Sequence, residues 1–250
     1  MSLSFLNVKK SVYQNNKIAV IGNSLFKIEG DEDKTYIEGL YKEALKKYAR
    51  MHCDDPSKRF RKTWTGEMGQ KCFEHVLSSI YNKEVIRSKQ IIGQYEVDTD
   101  VRFVENGEQK NIAISTREIS KRDSINYFLE NPNEFLALIP VGQQRQYIDS
   151  KLWAAVFVFL KYDRDTVDFK IDNVNLQIPV STSWICAGQL RRDILVHKLI
   201  TNSLLDASFK IKKQGEIIKI MDKNGIFKFN LPMYTDNFVI PLSSLNSLPK

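Results

Sequence analysis

Apolar positions recur along this chain with two periods, about 3.6 residues in some stretches and two in others, and the change of period marks its elements. The acidic cluster Asp31, Glu32 and Asp33 supplies caps and favourable dipole charge for a helix start. The helix predicted over 35–52 has Ile37, Leu40, Tyr41, Ala44, Leu45 and Tyr48 on one face. Cys53-Asp54-Asp55-Pro56-Ser57 breaks it, and Lys58-Arg59-Phe60-Arg61-Lys62-Thr63-Trp64 reads as an exposed basic loop. A second helix is predicted over 66–81 with Thr65 as its cap. Met68, Cys72, Phe73, Val76, Leu77 and Ile80 form its apolar side, and Glu67, Gln70 and Glu74 form a polar stripe. Period-two patterning predicts strands over 85–92, 95–104 and 110–117, with Asn106-Gly107 closing a hairpin between the last two. Ser120 and Asp123 mark a further helix start, and Asn131-Pro132 its end.

The remainder is richer in strands. An apolar stretch over 152–162 reads as a central strand, and 166–171 with 174–180 as a hairpin. Residues 184–205 read as a helix exposing Arg191, Arg192 and Lys198. A β-meander is predicted from 209–212, 216–221 and 226–230, turning at Gln214-Gly215 and Asn224-Gly225. At the N-terminus, 17–21 and 24–28 form a short hairpin around Gly22-Asn23. The expected fold is α/β: a mixed central β-sheet flanked by helices, with a β-rich C-terminal extension, in one domain over 1–250.

Composition narrows the function. With 250 residues, 42% of them hydrophobic, the chain can bury a sizeable core, and 27% charge is globular rather than disordered. The formal net charge of +7 suits a polyanionic partner. Cys53, Cys72 and Cys186 form no CxxC pair and His52, His75 and His197 no HExxH, so neither a disulfide framework nor a structural zinc site is expected. No apolar run is long enough to span a bilayer, and residues 1–10 lack the pattern of a secretory signal, so the expected compartment is the cytoplasm.

Candidate chemistry gathers in the middle of the chain. Alternation over 95–103 places Glu96, Asp98, Asp100 and Arg102 on one strand face, where crowded carboxylates call for a compensating cation. Mg²⁺, held by one or two carboxylates with phosphate and water, is the natural one. On the next strand Ile112, Ile114 and Thr116 face one way, and Ala113, Ser115 and Arg117 the other.

A helix beginning Gly66-Glu67-Met68-Gly69-Gln70, a strand with Asp98 and Asp100, a hairpin, and a strand ending Ile114-Ser115-Thr116-Arg117 together resemble the PD-(D/E)XK nuclease superfamily, which includes many type II restriction endonucleases. The resemblance covers about the central quarter of the chain. It implies a restriction-endonuclease-like catalytic core over about 65–162, with the β-rich part over about 163–250 carrying DNA recognition. The family's Asp falls at Asp100, or at Asp98. Its Glu-x-Lys falls at Ala113-Ile114-Ser115 in one register and at Ser115-Thr116-Arg117 in the other. The second register keeps a cation and draws its acid from the following helix at Glu130, or from Glu67.

The implied function is a Mg²⁺-dependent, sequence-specific double-stranded DNA endonuclease acting as a homodimer. Asp100, Asp98 and Glu67 would hold the metal. Ser115, Arg117 and Glu130 would complete the catalytic set, Arg117 meeting the phosphate. Lys58, Arg59, Arg61, Lys62, Trp64, Lys121 and Arg122 would contact DNA. The rival is a non-catalytic DNA-binding protein that kept the fold and lost its acid and lysine at Ala113 and Ser115. A repair or RNA-processing nuclease is a third reading.

Overall fold

The computed structural model describes residues 2–13, 16–48, 55–86, 90–92, 95–97, 100–119, 124–132, 135–140, 153–191, 210–212, 214–221, 226–233 and 237–248. In chain order these form β1 (Ser2–Tyr13), β2 (Lys17–Lys27), α1 (Asp31–Tyr48), α2 (Pro56–His75), β3 (Val85–Ile86), β4 (Gln90–Ile92), β5 (Tyr95–Val97), β6 (Val101–Glu105), β7 (Glu108–Glu118), α3 (Ile125–Glu130) and β8 (Leu136–Pro140). They continue with β9 (Ala154–Tyr162), β10 (Thr166–Ile171), β11 (Val174–Pro179), β12 (Ser181–Arg191), β13 (Lys210–Lys212), β14 (Ile217–Met221), β15 (Phe227–Pro232) and β16 (Asn237–Pro241).

The centre is a seven-stranded sheet in the order β1-β2-β12-β9-β7-β6-β3. Its neighbours are antiparallel except β7 and β9, which run parallel from Ile112↔Ala154 to Glu118↔Leu160. The strongly apolar β9 is buried on both faces, as a central strand should be. One face carries Val156, Val158 and Leu160 against α1 and α2, whose Ile37, Tyr41, Trp64, Met68 and Phe73 complete that core. The other carries Ala155, Phe157 and Phe159 against Phe128 of α3, Ala137 and Ile139 of β8, and Ile240 of β16. The α/β class and the mixed central sheet agree with the sequence reading.

Several elements differ from it, each for a physical reason. The basic segment over 58–64 is helical, because Asp55 caps α2 and Pro56 opens it. The Asp55 carboxylate accepts the amide hydrogens of Ser57 at 2.9 Å and Lys58 at 3.3 Å. Phe60 and Trp64 then extend the apolar stripe of Met68 and Cys72 by about two turns. The helix continues into a π-helical turn at Val76–Ile80.

Residues 181–191 form a strand rather than the start of a helix. Trp184, Ile185, Cys186 and Ala187 are all buried, since β12 lies between β2 and β9 and both its faces meet core. A register shift between Cys186 and Gly188 further obscures the alternation. The remainder of the predicted 184–205 helix lies outside the described residues. Gly22 sits within β2, not in a turn, because a Cβ there would overlap the indole of Trp184. The N-terminal hairpin is therefore longer than predicted, pairing Ser2 with Lys27 and Tyr13 with Lys17.

The predicted strand over 95–104 divides into β5, which pairs with β4, and β6, which joins the large sheet. The C-terminal strands are not one meander. Only β14 and β15 pair as a hairpin, while β13 pairs with β16, which in turn pairs with β8. Among the described residues, no helix is long and apolar enough to cross a membrane.

Candidate functional site

Helix α2 reaches the sheet at β7 because residue 69 is glycine. A Cβ there would overlap the side chain of Thr116, so only glycine lets the helix backbone lie this close to the strand. Thr116 points to this face, as alternation along β7 requires. The close approach brings the polar stripe of α2 to the start of β6. There the Gln70 side-chain amide donates to Asp100 Oδ1 at 3.0 Å. The Ile114 backbone N–H donates to Asp100 Oδ2 at 2.6 Å. Asp100 is thus held from two sides, by the helix and by the neighbouring strand. One turn before Gln70, Glu67 accepts a short hydrogen bond from the Tyr36 hydroxyl of α1.

Ser115 and Arg117 leave β7 on its opposite face. The Ser115 hydroxyl donates to the Leu138 carbonyl at 3.3 Å, and Arg117 Nη1 to the Leu136 carbonyl at 3.4 Å, both on β8. Burial beneath β8 lowers the pKa of the Arg117 guanidinium. The pairing of β6 with β7 is as expected, Val101 lying opposite Ile112. Yet the hydrogen bonds divide the candidate set: Asp100 meets the α2 side, whereas Ser115 and Arg117 meet β8. Glu130 ends α3 as an exposed residue. Asp98, Lys121 and Arg122 lie outside the described residues.

The basic candidates occupy the first turns of α2. Lys58 is exposed and sits 3.6 Å from Asp55. Lys62 is exposed and Arg59 half-buried. Arg61 is engaged by a two-point contact with Glu118, at 3.2 and 2.9 Å. Its guanidinium also lies over the Tyr162 ring, 4.1 Å from the centroid. Burial raises the Tyr162 pKa, and its hydroxyl donates to Thr65 at 3.1 Å. Trp64 is a core residue, only 1% exposed, with Phe26 and Phe60 against its ring. Its assignment to DNA contact is therefore corrected: the helix that replaces the expected loop turns its indole inward.

The sequence reading placed Gln70 on a polar stripe but not in the site, and it missed Glu118 altogether. The i, i+3 spacing of Gln70 from Glu67 was the available signal. Glu118 had none, since its partner Arg61 lies 57 positions away.

The donor chemistry can be compared with what magnesium requires. Mg²⁺ takes one or two carboxylates and fills its remaining positions with phosphate and water. Asp100 before β6 and Glu67 on α2 supply carboxylates, each already accepting hydrogen bonds, Asp100 on both of its oxygens. A third protein ligand is not found among the described residues, where no group of three or more His, Cys, Asp or Glu gathers. Ala113 and Ser115, where one of the two expected registers puts Glu-x-Lys, offer neither carboxylate nor amine. Among the described residues, the donors that suit magnesium are thus limited to the carboxylates of Asp100 and Glu67. No family model, curated protein or solved structure matches the chain.

Proposed function

We propose that this protein is a metal-dependent endonuclease acting on double-stranded DNA, with a restriction-endonuclease-like core centred on Asp100. The observation that carries this reading is the junction at Asp100, where a carboxylate at the start of β6 is oriented by Gln70 of α2 and the Ile114 amide of β7. The succession of α2, β3, β6, β7, α3 and β9, with β7 antiparallel to β6 and parallel to β9, supports the same core.

In this reading Asp100 and Glu67 hold the cation, and Gln70 fixes the rotamer of Asp100. A bound magnesium ion would polarise the scissile phosphate and acidify the attacking water. Lys58 and Lys62, exposed on the first turns of α2, draw the DNA backbone by charge. In the register Ser115-Thr116-Arg117 the cation is Arg117, and its bond to Leu136 would have to open for it to meet phosphate. A homodimer would match the two-fold symmetry of a palindromic target.

One observation favours a second reading. Ser115 and Arg117 are both bound to β8, the arrangement expected of a DNA-binding protein that keeps this core without cutting. Incubating the protein with plasmid DNA, once with Mg²⁺ and once with EDTA, separates the two. Discrete bands that require metal support the endonuclease. A mobility shift without cleavage supports the binding protein, and the absence of both removes DNA as a partner.

A further inference from the structure

The second face of the large sheet is apolar along Ile21, Ile185 and Phe159, then turns polar one step further on each strand. Asn23 of β2, Ser183 of β12 and Lys161 of β9 stand in direct cross-strand register there. On β1 the register shifts between Leu6 and Lys9, and Asn7 takes a φ of 54° in that bulge. After the bulge Lys9 stands opposite Ile21, and Asn7, Lys9 and Asn126 of α3 line the same space as the polar row. These residues line an open cleft of about 460 Å³, within the range of small-ligand sites.

The chemistry of this row is that of an anion site. Two ammonium groups, Lys9 and Lys161, border the space, and neither has an ion-pair partner among the described residues. Among the described residues that line it, Asp163 is the one carboxylate, so the positive groups outnumber it by two to one. Asparagine amides and the Ser183 hydroxyl supply neutral donors between the lysines. These donors are solvent-accessible and line one space on a sheet face that is apolar one step away. We propose that this pocket binds a phosphate group, delivered by the backbone of a DNA duplex or by a free nucleotide. The duplex source rests on the function proposed above, and the pocket itself does not.

The test uses the full chain and two double variants of equal charge. Lys9→Gln with Lys161→Gln alters the pocket, and Lys34→Gln with Lys42→Gln removes the same charge from α1. Binding of a short fluorescent DNA duplex is followed by anisotropy across salt concentrations, and binding of ADP by calorimetry. The pocket variant should bind duplex roughly tenfold more weakly than the α1 control, and its plot of log K against log salt should be shallower by about 1–2. Loss of ADP binding with duplex binding intact keeps the pocket and assigns it to a free nucleotide. A parent that binds ADP but no duplex keeps the pocket and removes the DNA function. Equal behaviour of the two double variants toward both ligands overturns the proposal, as does a parent that binds neither. Should the double variant melt early, Lys9→Gln alone, on the exposed face of an edge strand, gives the same readout.

Discussion

Asp33 gathers three hydrogen bonds, two from Ser2 and one from Glu29, on one carboxylate. It accepts the Glu29 amide hydrogen at 2.9 Å, and the amide and hydroxyl of Ser2, each at 2.8 Å. These bonds, the Glu29 amide first among them, favour the charged form and bring its pKa from 3.8 down to about 2. A carboxylate depressed in the folded state stabilises the fold fully above its unfolded pKa, and that contribution is lost as the pH falls through the folded value. Stability should therefore fall between about pH 4 and pH 2, and Asp33→Asn should flatten that limb when melting is followed by circular dichroism. An acid limb identical to the parent's would mean that Asp33 does not set it. Arg61 and Lys58 show a comparable division between structure and binding. Arg61, engaged by Glu118 and Tyr162, should cost about 1–2 kcal/mol of stability when changed to alanine, with little effect on the salt slope of DNA binding. Lys58→Ala should do the reverse, because its pair with Asp55 is exposed and contributes about 0–1 kcal/mol. Thermal melts of the two variants beside their anisotropy titrations would expose an exchange of roles.

The contact between α2 and β7 is where elements decide the site. Gly69→Ala forces a Cβ into Thr116, and overpacking of this kind costs about 1–3 kcal/mol. For a chain of this size, that lowers the melting temperature by roughly 2–4 °C per kcal/mol. Adding Thr116→Ala makes room and should recover part of the loss, a non-additivity that a double-mutant cycle measures. Strict additivity would show that the two residues do not meet. The same junction shows what the sequence could convey. The face of α2, the pairing of β6 with β7 and the alternation along β7 follow local periodicity and were legible. Trp64 was misplaced because its burial depends on Phe26, far away in sequence. The 184–191 stretch was misread because a strand buried on both faces loses its period-two signal, and the register shift before Gly188 removes more of it. The division of Asp100 from Ser115 and Arg117 depends on which element covers each face of β7. That is a property of β8 and α2 packing, not of β7's own residues.

At the scale of the molecule, one mixed sheet separates two cores, and the chain carries a formal net charge of +7. The exposed cations of α2 lie on the side that holds Asp100, and the lysine-bordered pocket lies on the other face. Duplex affinity should therefore fall steeply with added salt, with more than one group of contacts contributing to the slope. A flat affinity between low and physiological salt would exclude the backbone as the partner. The central claim is that Asp100 serves the chemical step, and Asp100→Asn tests it most directly, since the amide oxygen can still accept the Ile114 N–H and the fold should persist. Single-turnover cleavage of a DNA duplex in Mg²⁺ is measured beside metal-free affinity for the same duplex. A cleavage rate lower by at least two orders of magnitude with affinity unchanged or slightly raised is the predicted result. A parental cleavage rate, or a loss of affinity as large as the loss of cleavage, would contradict it.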